Sequence, residues 1–160
     1  VTLEESALAS LVNQAGNYLM CNTVPQREGT LHPNIAPYGE MFETADGKLL
    51  VLAVGNNKQF SALCQLMNLG ELVSDIRFAD NPSRVKHRKE LQIILNNAFS
   101  TKTAESWLEL FLPNHIPAGV VNDLNDVFSS NPAAQQMVLK EVVDGVETKR
   151  MKSAVFRILD

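Results

Sequence analysis

The chain has 160 residues, 45% of them apolar and 20% charged, which suits one globular domain of ordinary size or one domain with an appended element. Its formal charge of −4 argues against a general nucleic-acid binder and against docking on an anionic membrane. Two cysteines, Cys21 and Cys64, have no CxxC spacing, so a disulfide framework, a redox motif and a zinc ribbon are set aside and a reduced, cytoplasmic location is expected.

Leu3 to Met20 is predicted as one helix, because Leu8, Leu11, Val12 and Ala15 follow the i, i+3, i+4, i+7 stripe and Leu19 extends it. Residue 1 is Val and Val1 to Leu11 already has mid-helix character, so the chain is expected to be cut from something longer. The opening residues lack the basic-then-apolar order of a secretory signal. Cys21 to Pro37 carries Pro25, Gly29, Pro33 and Pro37 with little periodicity, and its seventeen residues exceed an ordinary connection. Such a stretch is a functional loop or a linker. Glu40-Met41-Phe42-Glu43 and Lys48 to Val54 flank Ala45-Asp46-Gly47 and predict a β-hairpin. Leu49 to Val54 is the longest apolar run, and its six residues cannot cross a bilayer. Being apolar on both faces, it is expected under helices on both sides.

Asn56 is placed to cap a helix with Phe60, Leu63, Cys64 and Met67 inside and Gly70 as its stop, which makes Cys64 a small core hydrophobe. One helix is expected after Pro82, with Leu91, Ile94, Leu95 and Ala98 inside. Another is expected from the Thr103 cap through Ala104, Trp107, Leu108, Phe111 and Leu112 to Pro113. Ile116 to Val121 contains Pro117 and predicts an edge strand. Asp123 and Asn131-Pro132 mark two short helices. Val138 to Val143 and Val146 to Arg150 flank Asp144-Gly145 as a second hairpin, and Ala154 to Ile158 predicts one more strand. With no internal repeat, the order gives an α+β fold, antiparallel hairpins packed by helices.

Chemical motifs are sparse. His32, His87 and His115 have no spacing for a shared metal, so no metal site is expected. GxSxG, GxGxxG and Walker patterns are absent, which leaves no catalytic residue to name within this segment. Arg84, Lys86, His87, Arg88 and Lys89 fall in the opening turns of the expected helix. An anion site is one reading of that cluster. The bland one, preferred here, is a solvated face on which the Arg84 and Arg88 stems pack. His32-Pro33-Asn34-Ile35-Ala36-Pro37-Tyr38-Gly39 is the most unusual stretch, with two prolines fixing polar groups. It is either a binding loop or a connection that orients the hairpin.

Residues 32 to 67, HPNIAPYGEMFETADGKLLVLAVGNNKQFSALCQLM, resemble the class III CoA-transferases, the group of formyl-CoA and carnitine CoA-transferases. The likeness continues in FADNPSRVKHRKEL (78 to 91), similar to that family's "RF..N..RV.NR..L" with His87 where Asn is common. Trp107 matches a "T..EW" helix with Ser106 before it, IPAGVV (116 to 121) resembles "VP.GPV" with Val120 in place of Pro, and Asn131-Pro132 with Gln135 resembles "DPQ". VTLEESALASL resembles the helix after "VDVSLLE". The resemblance implies a smaller α/β domain over 31–160, led in by a linker helix and loop over 1–30, with a large Rossmann-like CoA-binding domain outside the segment. It implies an interlocked homodimer that moves coenzyme A between an acyl-CoA and a carboxylic acid. The nucleophilic aspartate of the family lies upstream, so Asp46, Asp75 and Asp123 do not inherit it and the segment alone is expected to be inactive. CoA is then a substrate of the full-length enzyme, and the cofactor-binding residues of the segment are unassigned. His32, Asn34 and Tyr38 are the candidates for bordering the acyl pocket. Some relatives have a glycine-rich lid at this loop; its absence here implies a stiffer wall. An acyl-CoA racemase of the same fold and a non-catalytic interaction module are the alternatives.

Overall fold

In the computed structural model, which describes residues 1–27 and 29–152, the opening stretch forms two helices instead of one. Thr2 starts α1 (Leu3–Ala9) with a capping box shared with Glu5. The helix stops at Ser10, whose hydroxyl donates to the Ala7 carbonyl, and α2 (Val12–Cys21) restarts with Val12 at φ 43. Neither helix has a buried residue. Helices draw most of their stability from packing an apolar face, so nothing within the described chain favours carrying one helix through the break.

β1 (Tyr38–Glu43) and β2 (Leu49–Ala53) form the predicted hairpin, with Phe42 opposite Leu50 and Gly47 at φ 73 in the turn. The expected edge strand contributes β3 (Ala118–Val120), which pairs with the free side of β2, so the antiparallel order is β1-β2-β3. Cover is complete on one face only. Leu50 and Leu52 are fully buried in the main cluster, Val51 lies outside it, and Leu49 is 41% exposed. The buried helical residues gather on the Leu50–Leu52 side.

Asn56 caps α3 (Asn57–Leu66) by accepting from the Gln59 N–H, and Phe60, Leu63 and Cys64 are buried. Its stop is Asn68 at φ 58, not Gly70, which begins a 3₁₀ turn. The Leu69 N–H donates to Cys64 and the Asn68 N–H to Gln65, a Schellman ending that Asn tolerates because its short side chain accepts the left-handed conformation. The helix expected after Pro82 is also two: α4 (Asn81–Lys86), capped by Asp80, and α5 (Arg88–Phe99), separated at His87. Arg84 and Lys86 therefore occupy the last turn of α4, where positive charge complements the helix dipole. Thr103 caps α6 (Ala104–Phe111) as predicted, and Asp46 reaches across from the hairpin turn to accept from the Ala104 N–H.

Phe99 is the hub of the core. It stacks on Phe42 at 4.6 Å and meets Trp107 and Phe111 edge-on, while the Trp107 indole N–H donates to the Phe99 carbonyl at 2.9 Å. Beyond β3 the predicted caps hold: α7 (Leu124–Ser130) starts at Asp123, and α8 (Pro132–Gln136) starts at Asn131 with Pro132 in its first turn. β4 (Val138–Val143) and β5 (Val146–Met151) then pair around Asp144-Gly145. No residue from Val121 to Lys152 is buried. The further strand expected at Ala154 to Ile158 lies outside the described residues.

Candidate functional site

The loop before β1 is built by backbone geometry first. Gly39 sits at φ 80, and a Cβ there would lie 2.0 Å from the Thr30 carbonyl oxygen, so the close approach of the two segments requires glycine. The His32 N–H donates to the Tyr38 carbonyl at 3.0 Å and the Val54 N–H to Pro37 at 3.1 Å, which fastens the loop across its base and to the end of β2. The Ala36–Pro37 bond is cis.

Two of the three predicted site residues meet directly. The His32 and Tyr38 rings pack edge to face, with centroids 5.4 Å apart. His32 Nδ1 accepts from the Asn34 N–H at 3.1 Å, which leaves the proton of a neutral ring on Nε2. Asn34 lines a cavity of about 680 Å³ between α2 and the loop, together with Gln14, Asn17, Cys21, Leu31 and Pro33. Among the described residues its walls carry amides but no acid, base or cation.

Residues that sequence reasoning missed hold this loop from behind. Asn81 Oδ1 accepts from the Ala36 N–H at 3.1 Å, and its Nδ2 donates to the Asn34 carbonyl at 2.7 Å. Arg84, 1% exposed, donates from Nε to the Ala36 carbonyl at 2.8 Å, and its guanidinium lies 4.4 Å from the Phe60 ring centre. The remaining donors of Arg84 reach the Phe78 carbonyl and Asn57 Oδ1. One Arg88 terminal nitrogen donates to both the His32 and the Ile35 carbonyls, at 2.5 and 2.6 Å. Arg88 Nε stands 3.0 Å from Oε1 of Glu40, at ion-pair distance without the alignment of a hydrogen bond. Glu40 is 2% exposed, and burial pushes its carboxyl up while the Arg88 charge pulls it the other way. The solvated-face reading is thus corrected for Arg84 and Arg88, whose head groups are spent on backbone carbonyls. Asn81 and Arg84 share one face of α4 at i, i+3 spacing, while Arg88 lies beyond the break at His87.

Three further groups singled out in the sequence have structural partners. Asp75 pairs with Arg77 at 2.7 Å, Asp123 caps α7, and His87 Nδ1 lies 2.9 Å from Glu90. Burial pushes the Cys64 thiol up to about 12, as befits a core residue. Among the described residues no three His, Cys, Asp or Glu side chains gather as a metal site, and no helix is long and apolar enough to cross a membrane.

Residues 1–159 match the sequence model described as CoA-transferase family III. Succinyl-CoA:glutarate CoA-transferase of Mus musculus is 43% identical over 127 residues, which are 79% of this chain and 29% of the mouse protein. Succinate--glutarate CoA-transferase of Agrobacterium fabrum is 39% identical over 140 residues, 86% of this chain and 34% of that one. Among solved structures, a CAIB/BAIF family protein from Brucella suis superposes with a TM-score of 0.75 at 35% identity, over 92% of this chain and 38% of that chain. The chain thus spans about a third of the length of these relatives.

Proposed function

The chain belongs to CoA-transferase family III, and from that membership we propose that it is the smaller-domain segment of an enzyme that moves coenzyme A from an acyl-CoA to a carboxylic acid. Residues 1–30 are its linker and 31–160 the small domain. The nucleophile is an aspartate outside the segment. It attacks the thioester carbonyl and expels the CoA thiolate, giving a mixed anhydride; the thiolate then forms an aspartyl thioester and releases the donor acid. The acceptor carboxylate attacks that thioester and expels the thiolate, giving a second anhydride; the thiolate then attacks the acceptor's carbonyl, and the aspartate leaves regenerated. The segment alone is inactive, and CoA is a substrate of the complete, cytoplasmic homodimer.

The observation that carries this reading is the match over residues 1–159. Relatives named for succinyl-CoA and glutarate support a pair of dicarboxylic acids as donor and acceptor. The loop supports a place for them. Asn34 lines the cavity, and the ring of His32, two positions before it, packs on Tyr38; an amide, an imidazole and a phenol hydroxyl are side chains suited to the free carboxylate of a dicarboxylic acyl group.

The test uses the full-length protein with succinyl-CoA and glutarate, followed by mass spectrometry. Glutaryl-CoA and succinate are expected, and absence of CoA transfer across a panel of acyl-CoA donors and acids overturns the reading. In deuterated water, label uptake at the α-carbon without transfer would establish the racemase instead. His32→Ala, Asn34→Ala and Tyr38→Phe are each expected to raise KM for the acid roughly 10-fold, the scale of one lost bond to a charged group. Unchanged kinetics in all three would remove the loop from the pocket while leaving the family activity intact.

A further inference from the structure

We propose that Glu40 and Arg88 form a positioning unit for the acid-binding loop, resting on the reading of His32, Asn34 and Tyr38 as the pocket wall. The carboxylate fixes where the guanidinium stands, and the guanidinium fixes the loop. Glu40 is on β1 and Arg88 opens α5, so the pair joins the sheet to the helix layer directly beneath the loop. Arg88 is 12% and Glu40 2% exposed in their side chains, so water competes little for either. Among the described residues, neither Glu40 oxygen has a hydrogen-bond partner. A buried carboxylate left so is costly as a stability device. Its ion-pair partner, 3.0 Å away, is the arginine that holds the His32 and Ile35 carbonyls. Asn81 and Arg84 secure the Asn34 and Ala36 backbone in parallel. Four loop positions, 32, 34, 35 and 36, are thereby held through their backbone, which leaves their side chains to the ligand.

The guanidinium geometry is specific. One planar group keeps its charge 3.0 Å from the carboxylate while its terminal nitrogen spans two carbonyls, and a lysine ammonium has no such fork. Arg88→Lys keeps the charge beside Glu40 but loses the paired grip. Glu40→Gln keeps the volume but frees the guanidinium to shift. Neither residue touches the acid; each acts through the loop.

The experiment combines two readouts on the full-length protein: amide hydrogen exchange over residues 32–38, and transfer kinetics. In Arg88→Lys, exchange in the loop is expected to speed by about 10-fold or more while the β2 and α5 amides keep their protection. KM for the acid rises about 10-fold, with kcat within about two-fold. Glu40→Gln moves both readouts in the same direction to a smaller extent, and Lys89→Ala, on an exposed neighbour, moves neither. Unchanged loop exchange in Arg88→Lys overturns the proposal. So does faster exchange with unchanged KM when Asn34→Ala or Tyr38→Phe does shift KM. If exchange rises but no loop variant affects KM, the pocket reading itself has failed, and the clamp's part in transfer falls with it. Where Arg88→Lys folds poorly, Glu40→Gln alone decides by the same two criteria.

Discussion

At the scale of single residues, Gly39 and Asp46 show how one atom sets a segment. A methyl group at Gly39 would enter the Thr30 carbonyl at 2.0 Å and would also hold φ 80, so two penalties fall on one substitution. Gly39→Ala is expected to destabilise by more than about 2 kcal/mol and to loosen the Thr30–Tyr38 loop, checked by urea unfolding. Asp46 is a titrating case. The Thr44 hydroxyl at 2.6 Å and the Ala104 N–H at 3.0 Å hold its carboxyl below the ordinary range. A carboxyl lowered on folding stabilises the fold at pH above its unfolded value of about 3.9, and that contribution is lost as pH falls through the lowered folded value. Asp46→Asn keeps the acceptor oxygen without the charge. Its Tm is expected to lie below that of the parent at neutral pH, with the gap closing under acid; a gap that is constant with pH would contradict the role given to the charge.

At the scale of elements, signals contained within a few residues were legible. The Asp46-Gly47 and Asp144-Gly145 hairpins and the caps at Asn56, Thr103, Asp123 and Asn131 all form where the sequence puts them. The two breaks were not legible. The apolar period runs past Ser10, and neither glycine nor proline marks His87, so the local pattern predicts continuous helices where the chain makes four. Two prolines made the site loop visible, whereas its clamp joins residues 45 to 56 positions apart, which no local pattern encodes. Asn56→Ala tests one element: losing the cap of α3 is expected to cost about 1 kcal/mol in thermal or urea unfolding. Phe99→Ala tests several at once, because β1, α5 and α6 meet on that ring. A loss of about 3–5 kcal/mol is expected.

At the scale of the whole molecule, burial is unevenly distributed. The sheet, α3, α5 and α6 share one cluster, while α1, α2 and everything from Val121 to Lys152 contribute no buried residue. Leu8, Leu11 and Leu19 are 59%, 50% and 77% exposed along the opening helices. The 160-residue chain taken alone is therefore expected to self-associate as concentration rises, since exposed apolar patches drive such contacts. Replacing those three leucines by serine should suppress the association in sedimentation experiments; no change would place the contact elsewhere. The two thiols are divided by the same contrast. Cys64, held at about 12, offers on the order of one thiolate in 10⁵ at neutral pH, while Cys21 is exposed on the wall of the cavity that Asn34 also lines. Alkylating reagents should consequently attach at one position of the native segment, and a fluorophore carried there would report on the loop from across the cavity without any engineered cysteine.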